Sequence, residues 1–144
     1  MAKKFNCVLL VLSLLLFAGC SNPSKAPTEH SSEETIRLTF KIVDESTDES
    51  VILFDDEVKV TADCETLADV LLQAKEIQAV TEEGQYGLIL VGMMGKESNW
   101  DKGPWWMYES NNNESCVKMG YCDGASNLVI QDGDEFVFTL SMGY

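Results

Sequence analysis

Residues 66–77 read TLADVLLQAKEI, and this stretch decides the architecture because it sets a single helix among strands. Leu67, Val70, Leu71, Ala74 and Ile77 recur at helical spacing and share one face. Thr66, with Asp69 three residues on, has the pattern of a capping box. Upstream, Ile36, Leu38, Phe40 and Ile42 alternate with Thr35, Arg37, Thr39 and Lys41, the period of a half-buried strand. Val51–Phe54 and Val58–Val60 form a second strand, interrupted by Asp55-Asp56-Glu57, which reads equally as a bulge or a turn. Downstream, Glu83-Gly84 marks a turn and Tyr86–Val91 is an apolar run of strand length. Gly103-Pro104 is a further turn, Trp105–Tyr108 a strand, and Asn111-Asn112-Asn113 a turn or loop. After Asp132-Gly133 a closing strand places Phe136, Phe138, Leu140 and Met142 on one face.

The order strand, strand, helix and about three more strands predicts an α+β fold. One helix would pack on a mixed or antiparallel sheet of about five strands. The β-grasp is the simplest arrangement of that kind.

The N-terminus carries a different signal. Lys3 and Lys4 precede an apolar run from Val8 to Phe17, which ends in Ala18, Gly19 and Cys20. A basic start, a short apolar core and small residues at the end make a secretory leader. The run is too short to span a bilayer, which takes about 20 residues as a helix. A cysteine directly after the small residues resembles a bacterial lipobox, although Phe17 stands where Leu is usual. That resemblance implies a signal peptide over 1–19 and diacylglyceryl attachment to Cys20. A flexible tether over 20–34 and a folded domain over 35–144 would follow. Residues 21–34 (SNPSKAPTEHSSEE) contain Pro, Ser and charge but no large aliphatic residue. The chain would then sit on the outer side of a bacterial cell membrane. Each buried acyl CH₂ contributes about 0.8 kcal/mol, and two chains anchor stably.

Charge narrows the partners. The 144 residues carry a net charge of −14, and cleavage before Cys20 would remove two lysines and take it to −16. Such a surface disfavours nucleic acid and anionic headgroups. Catalysis finds little support, since the only histidine, His30, lies in the tether. No phosphate-binding loop is present, and the expectation is that the chain is not an enzyme. Cys64, Cys116 and Cys122 lack the spacing of a zinc site. Asp123, Asp132, Asp134 and Glu135 read as turn acids rather than as a calcium loop, so no metal site and no catalytic cofactor is expected. An oxidising exterior permits disulfides. Cys116 and Cys122, six apart, are the favoured pair, closing a hairpin-sized loop worth roughly 2–2.5 kcal/mol. A bridge from Cys64 to either one is the alternative.

The segment WDKGPWWMY (100–108) is the aromatic centre. On a strand Trp105 and Met107 share one face and Trp106 and Tyr108 the other. One pair should enter the core and the other face out, where it would stack on a flat apolar ligand or a partner protein. The competing reading packs both pairs. Trp100, in a polar loop, is the aromatic most expected to be exposed.

From Tyr86 onward the chain resembles the C-terminal domain of transcobalamin and intrinsic factor and its bacterial surface-lipoprotein relatives. The matching residues are Tyr86-Gly87, Gly103 with Trp105-Trp106-Met107-Tyr108, Asn111–Asn113, Gly124, Asp132-Gly133-Asp134, Phe136 and Tyr144, with Thr66-Leu67 at the helix start. The resemblance implies a β-grasp-like domain that clasps a corrinoid such as cobalamin, as a ligand and not as a catalytic cofactor. It departs from that family in two respects: no helical partner domain lies in this sequence, and Cys116 and Cys122 are additions. The expected role is a lipid-anchored extracytoplasmic binding domain that captures a small ligand for a membrane importer. Tyr86, Trp100, Trp105, Trp106 and Tyr108 are its candidate contact residues. The alternative is a cell-surface interaction or adhesion module without a small-molecule ligand.

Overall fold

The computed structural model describes residues 34–143. The leader, Cys20, His30, Tyr144 and all of the tether but Glu34 lie outside the described residues. No described helix is long and apolar enough to cross a membrane.

Strand β1 (Thr35–Glu45) pairs antiparallel with β2 (Val51–Thr61). Helix α1 (Leu67–Gln73) follows, then β3 (Val80–Gly84), β4 (Gly87–Met93) and the two-residue β5 (Lys96–Glu97). Next come β6 (Trp105–Glu109), helix α2 (Glu114–Met119) and β7 (Glu135–Ser141). The strands form a four-stranded sheet of order β2-β1-β7-β6 and a three-stranded sheet of order β3-β4-β5. In the larger sheet β1 and β7 run parallel at the centre and the outer pairings are antiparallel. The fold is therefore α+β with a mixed, β-grasp-like main sheet. The described residues hold two helices rather than one, and seven strands in two sheets rather than about five in one.

The alternation read in the sequence places the core. Leu38, Phe40 and Ile42 of β1 and Phe136, Phe138 and Leu140 of β7 are buried on one face. The rings of Phe40 and Phe138 lie 4.9 Å apart, and Phe136 meets Phe40 edge-on at 5.9 Å. Met142 falls beyond β7 and is exposed. Across this face lie Leu67, Val70, Leu71, Ala74 and Ile77, all buried. The capping box is present, with Thr66 and Asp69 bonding each other's backbone. The second sheet contributes Leu90 and Met93 to the same core.

Two segments depart from the sequence reading. The acidic triplet is neither bulge nor turn: Asp55, Asp56 and Glu57 continue β2, opposite Lys41, Phe40 and Thr39. The register slips nearby instead, between Ile42 paired with Phe54 and Val43 paired with Ile52. The acids lie on an edge strand, where charge discourages pairing with another chain. The segment after the Asn111-Asn112-Asn113 turn forms a second helix that the sequence reading did not include. Asn113 caps α2, accepting from the N–H groups of Ser115 and Cys116, and Gly120 ends it at φ 78°.

Candidate functional site

Gly103 and Pro104 turn the chain into β6, whose alternation then splits the aromatic segment between two environments. Trp106 is 8% exposed. Its indole N–H donates to the Lys96 carbonyl at 3.0 Å, and its backbone N–H donates to Ser98 Oγ at 3.2 Å. Tyr108 packs on Phe138 with ring centroids 5.7 Å apart and donates its hydroxyl to the Asp123 carbonyl at 2.8 Å. Burial, with the Asp123 charge as a lesser cause, pushes the Tyr108 phenol up to about 12. Of these two candidate contact residues, Trp106 is thus committed to the core, while Tyr108 is half-buried, packing against the core with its hydroxyl bonded and bordering the outer trough.

Trp105 and Met107 take the opposite face. Trp105 is half-buried, and its ring lies against Gly103 and Gly143. A Cβ at Gly103 would meet that ring at 2.8 Å, and φ there is +77°, so no side chain fits between turn and ring. Trp100 is 59% exposed. Its loop is nonetheless well bonded. The Asn99 N–H donates to the Pro104 carbonyl and the Gly103 N–H returns to the Asn99 carbonyl, both at 2.8 Å. Asn99 Oδ1 also accepts from the N–H groups of Asp101 and Lys102. Tyr86 is 87% exposed at the β3–β4 turn. That turn is held elsewhere, through the Leu88 N–H donating to Ser126 Oγ at 2.9 Å. Trp100 and Trp105 therefore share one loop and strand junction, while Tyr86 is anchored to a different part of the domain.

The same face of the four-stranded sheet forms an open trough of about 390 Å³. Lys41 and Val43 of β1, Val137 and Thr139 of β7, and Met107 and Glu109 of β6 line it. Helix α1 buries Leu67, Ala68, Val70 and Leu71 in the core on the other face, and α2 adds only Cys116, its Val117 and Met119 being exposed. Apart from Met107, whose face was readable, these residues were not singled out. The alternation that assigns them outward was visible, but the parallel pairing that brings Lys41 beside Val137 was not.

The cysteines divide cleanly. Cys116 and Cys122 form a disulfide with Cα atoms 4.3 Å apart, and it ties α2 to the segment after it. Cys64 is a free buried thiol, pushed up chiefly by desolvation. Three of the turn acids, Asp123, Asp132 and Asp134, serve as backbone acceptors. Asp132 Oδ1 takes the Arg37 N–H at 2.8 Å, and Asp134 Oδ2 takes the Gln131 N–H at 2.9 Å.

Two solved structures share this architecture. A Ruminococcus gnavus protein, provisionally described as metal binding, matches with a TM-score of 0.53 and 22% identity over 76% of this chain and 99% of its own. Haptocorrin, solved in complex with Cbi, matches with a TM-score of 0.51 and 17% identity over 76% of this chain and 26% of its own. The chain thus spans about a quarter of haptocorrin's length. At these identities the likeness is one of fold alone. No protein-family model and no curated protein matches the chain.

Proposed function

We propose that the chain is a lipid-anchored, extracytoplasmic binding domain, not an enzyme, that captures a small molecule with a flat apolar face. A corrinoid is the first candidate, and a membrane importer the recipient. One observation carries this reading: Trp100, a large apolar ring, stands in solvent on a loop whose backbone is bonded into place beside half-buried Trp105. An exposed indole on an ordered loop is a preformed stacking surface, because little conformational freedom remains to be lost on binding. The shared fold with haptocorrin supports the choice of ligand class. With Trp106 in the core and the Tyr108 hydroxyl bonded to the Asp123 carbonyl, contact falls to Trp100 and Trp105.

The test is a titration of tryptophan fluorescence with cobalamin and cobinamide, backed by equilibrium dialysis. A saturable change that Trp100→Ala weakens at least tenfold, about 1.4 kcal/mol, supports the proposal. No binding up to millimolar cobalamin removes the corrinoid version. Anchoring is tested separately: labelled palmitate should enter the protein in cells, and Cys20→Ser should abolish incorporation. The interaction-module reading draws on Tyr86, exposed on a loop apart from Trp100. It predicts a surface-protein partner lost in Tyr86→Ala and no small-molecule effect on the melting temperature.

A further inference from the structure

The trough on the outer face of the main sheet has a mixed lining in which three polar side chains are unpartnered among the described residues. Val43, Val137 and Met107 make an apolar floor, and Lys41, Thr139 and Glu109 rise around it. The described ion pairs join Lys59 to Glu57 and Lys96 to Asp44. Among the described residues the side chains of Lys41, Thr139 and Glu109 have no hydrogen-bond or ion-pair partner. The other polar groups of the lining are engaged: Ser141 Oγ accepts from the Gly143 N–H at 3.3 Å, Tyr108 donates to the Asp123 carbonyl, and at one end Ser50 donates its hydroxyl to Glu45 at 3.3 Å. Trp105 stands just past that end. It is on the face of β6 that carries Met107 and opposite Ser141, which also lines the trough.

We propose that this open sheet face is a second binding site, separate from the Trp100 loop, and that it takes a neutral polyhydroxylated ring such as the end of a saccharide chain. The volume of about 390 Å³ lies within the range of small-ligand sites, roughly 300–1,000 Å³. An anion is disfavoured, since Glu45 and Glu109 outnumber Lys41 and the whole chain carries −14. A wholly apolar ligand would strip water from Lys41, Thr139 and Glu109 and offer them nothing in return. A sugar ring answers both constraints. Its C–H faces cover Val43, Val137 and Met107, and each hydroxyl both donates and accepts. One ring can therefore bond an ammonium, a carboxylate and a threonine hydroxyl at once.

The experiment is an amide-resolved NMR titration of the full chain in a sugar-free detergent, with maltotriose, cellotriose and chitotriose as probes. At least one probe at millimolar concentration should give saturable shifts confined to the outward residues of β1, β6 and β7. Thr139→Val and Glu109→Gln, both surface changes, should each weaken binding about tenfold, the effect of one hydrogen bond to a charged or polar rim group. Trp100→Ala should leave it unchanged, which separates this site from the one proposed above. The inference is overturned if no probe shifts those residues, if the shifts cluster at the Trp100 loop, or if free amino acids bind there and the saccharides do not.

Discussion

Asn113 shows how much a single side chain can hold. It is 1% exposed. Its Oδ1 accepts from the Ser115 and Cys116 N–H groups, and its Nδ2 donates to the Val129 carbonyl at 2.9 Å and to Asp134 Oδ2 at 2.6 Å. Asn113→Ala would remove the cap of α2 and leave a buried Asp134 oxygen short of a donor. Together these should cost about 2–4 kcal/mol, read as a fall in the urea midpoint. Asn113→Asp keeps the cap acceptor but sets a second carboxylate against Asp134, so it should not restore stability. The three asparagines were legible as turn formers. That the last of them is the buried cap of a helix was not, because a six-residue helix shows hardly two turns of pattern.

At the scale of elements, α2 is too short to persist alone, since isolated helices need about 12–15 residues. Its neighbours hold it: the Asn113 cap, the αL glycine and the Cys116–Cys122 bridge. Replacing both cysteines by serine should lower stability by roughly 2–2.5 kcal/mol on the chain-entropy argument. The loss should show as faster hydrogen exchange at the amides of Val117 and Gly120, whose bonds to the carbonyls of Asn113 and Cys116 close the helix. Exchange in β1 and β7 should change only by the global amount. Undiminished protection in α2 would mean that the bridge does not support it. Helix α1 was legible because its cap, its first turn and its apolar stripe all lie within twelve residues of sequence.

At the scale of the whole molecule, Asp44 joins the two sheets. It is buried on the core face near the end of β1, where Ser46 donates to Oδ1 from its hydroxyl at 2.5 Å and its N–H at 3.0 Å. Lys96 of β5 lies 3.1 Å from Oδ2. The Ser46 hydroxyl bond above all, with the Ser46 N–H and Lys96, holds the Asp44 carboxyl below its ordinary value, against desolvation. Asp69 is lowered too, chiefly by the Thr66 hydroxyl. For a carboxyl lowered in the folded state, the unfolded chain binds the proton more readily. The stabilisation is therefore full above the unfolded value near 3.8 and is lost as pH falls through the folded one. Asp44→Asn should accordingly be less stable than the parent at neutral pH and should lose less on acidification. Denaturant midpoints measured from neutral pH down through the carboxylate range would show it. Parallel pH profiles for the two proteins would refute the role given to Asp44.

What the sequence by itself determined is local and periodic. The faces of β1, β6 and β7, the capped helix and the core phenylalanines follow from residues a few positions apart. Side-chain direction along a strand or helix depends only on local geometry. The split of Trp105 and Met107 from Trp106 and Tyr108 was available on those terms. Which of the two pairs faces inward was not, since an isolated strand has two equivalent faces until a sheet and a helix choose one. The tertiary structure also decided that β1 and β7, about a hundred residues apart, lie parallel and adjacent. Only that pairing sets Lys41, Val43, Val137 and Thr139 side by side and makes a trough of them, because strand neighbours are chosen by the burial of the whole core and not by either strand's own pattern.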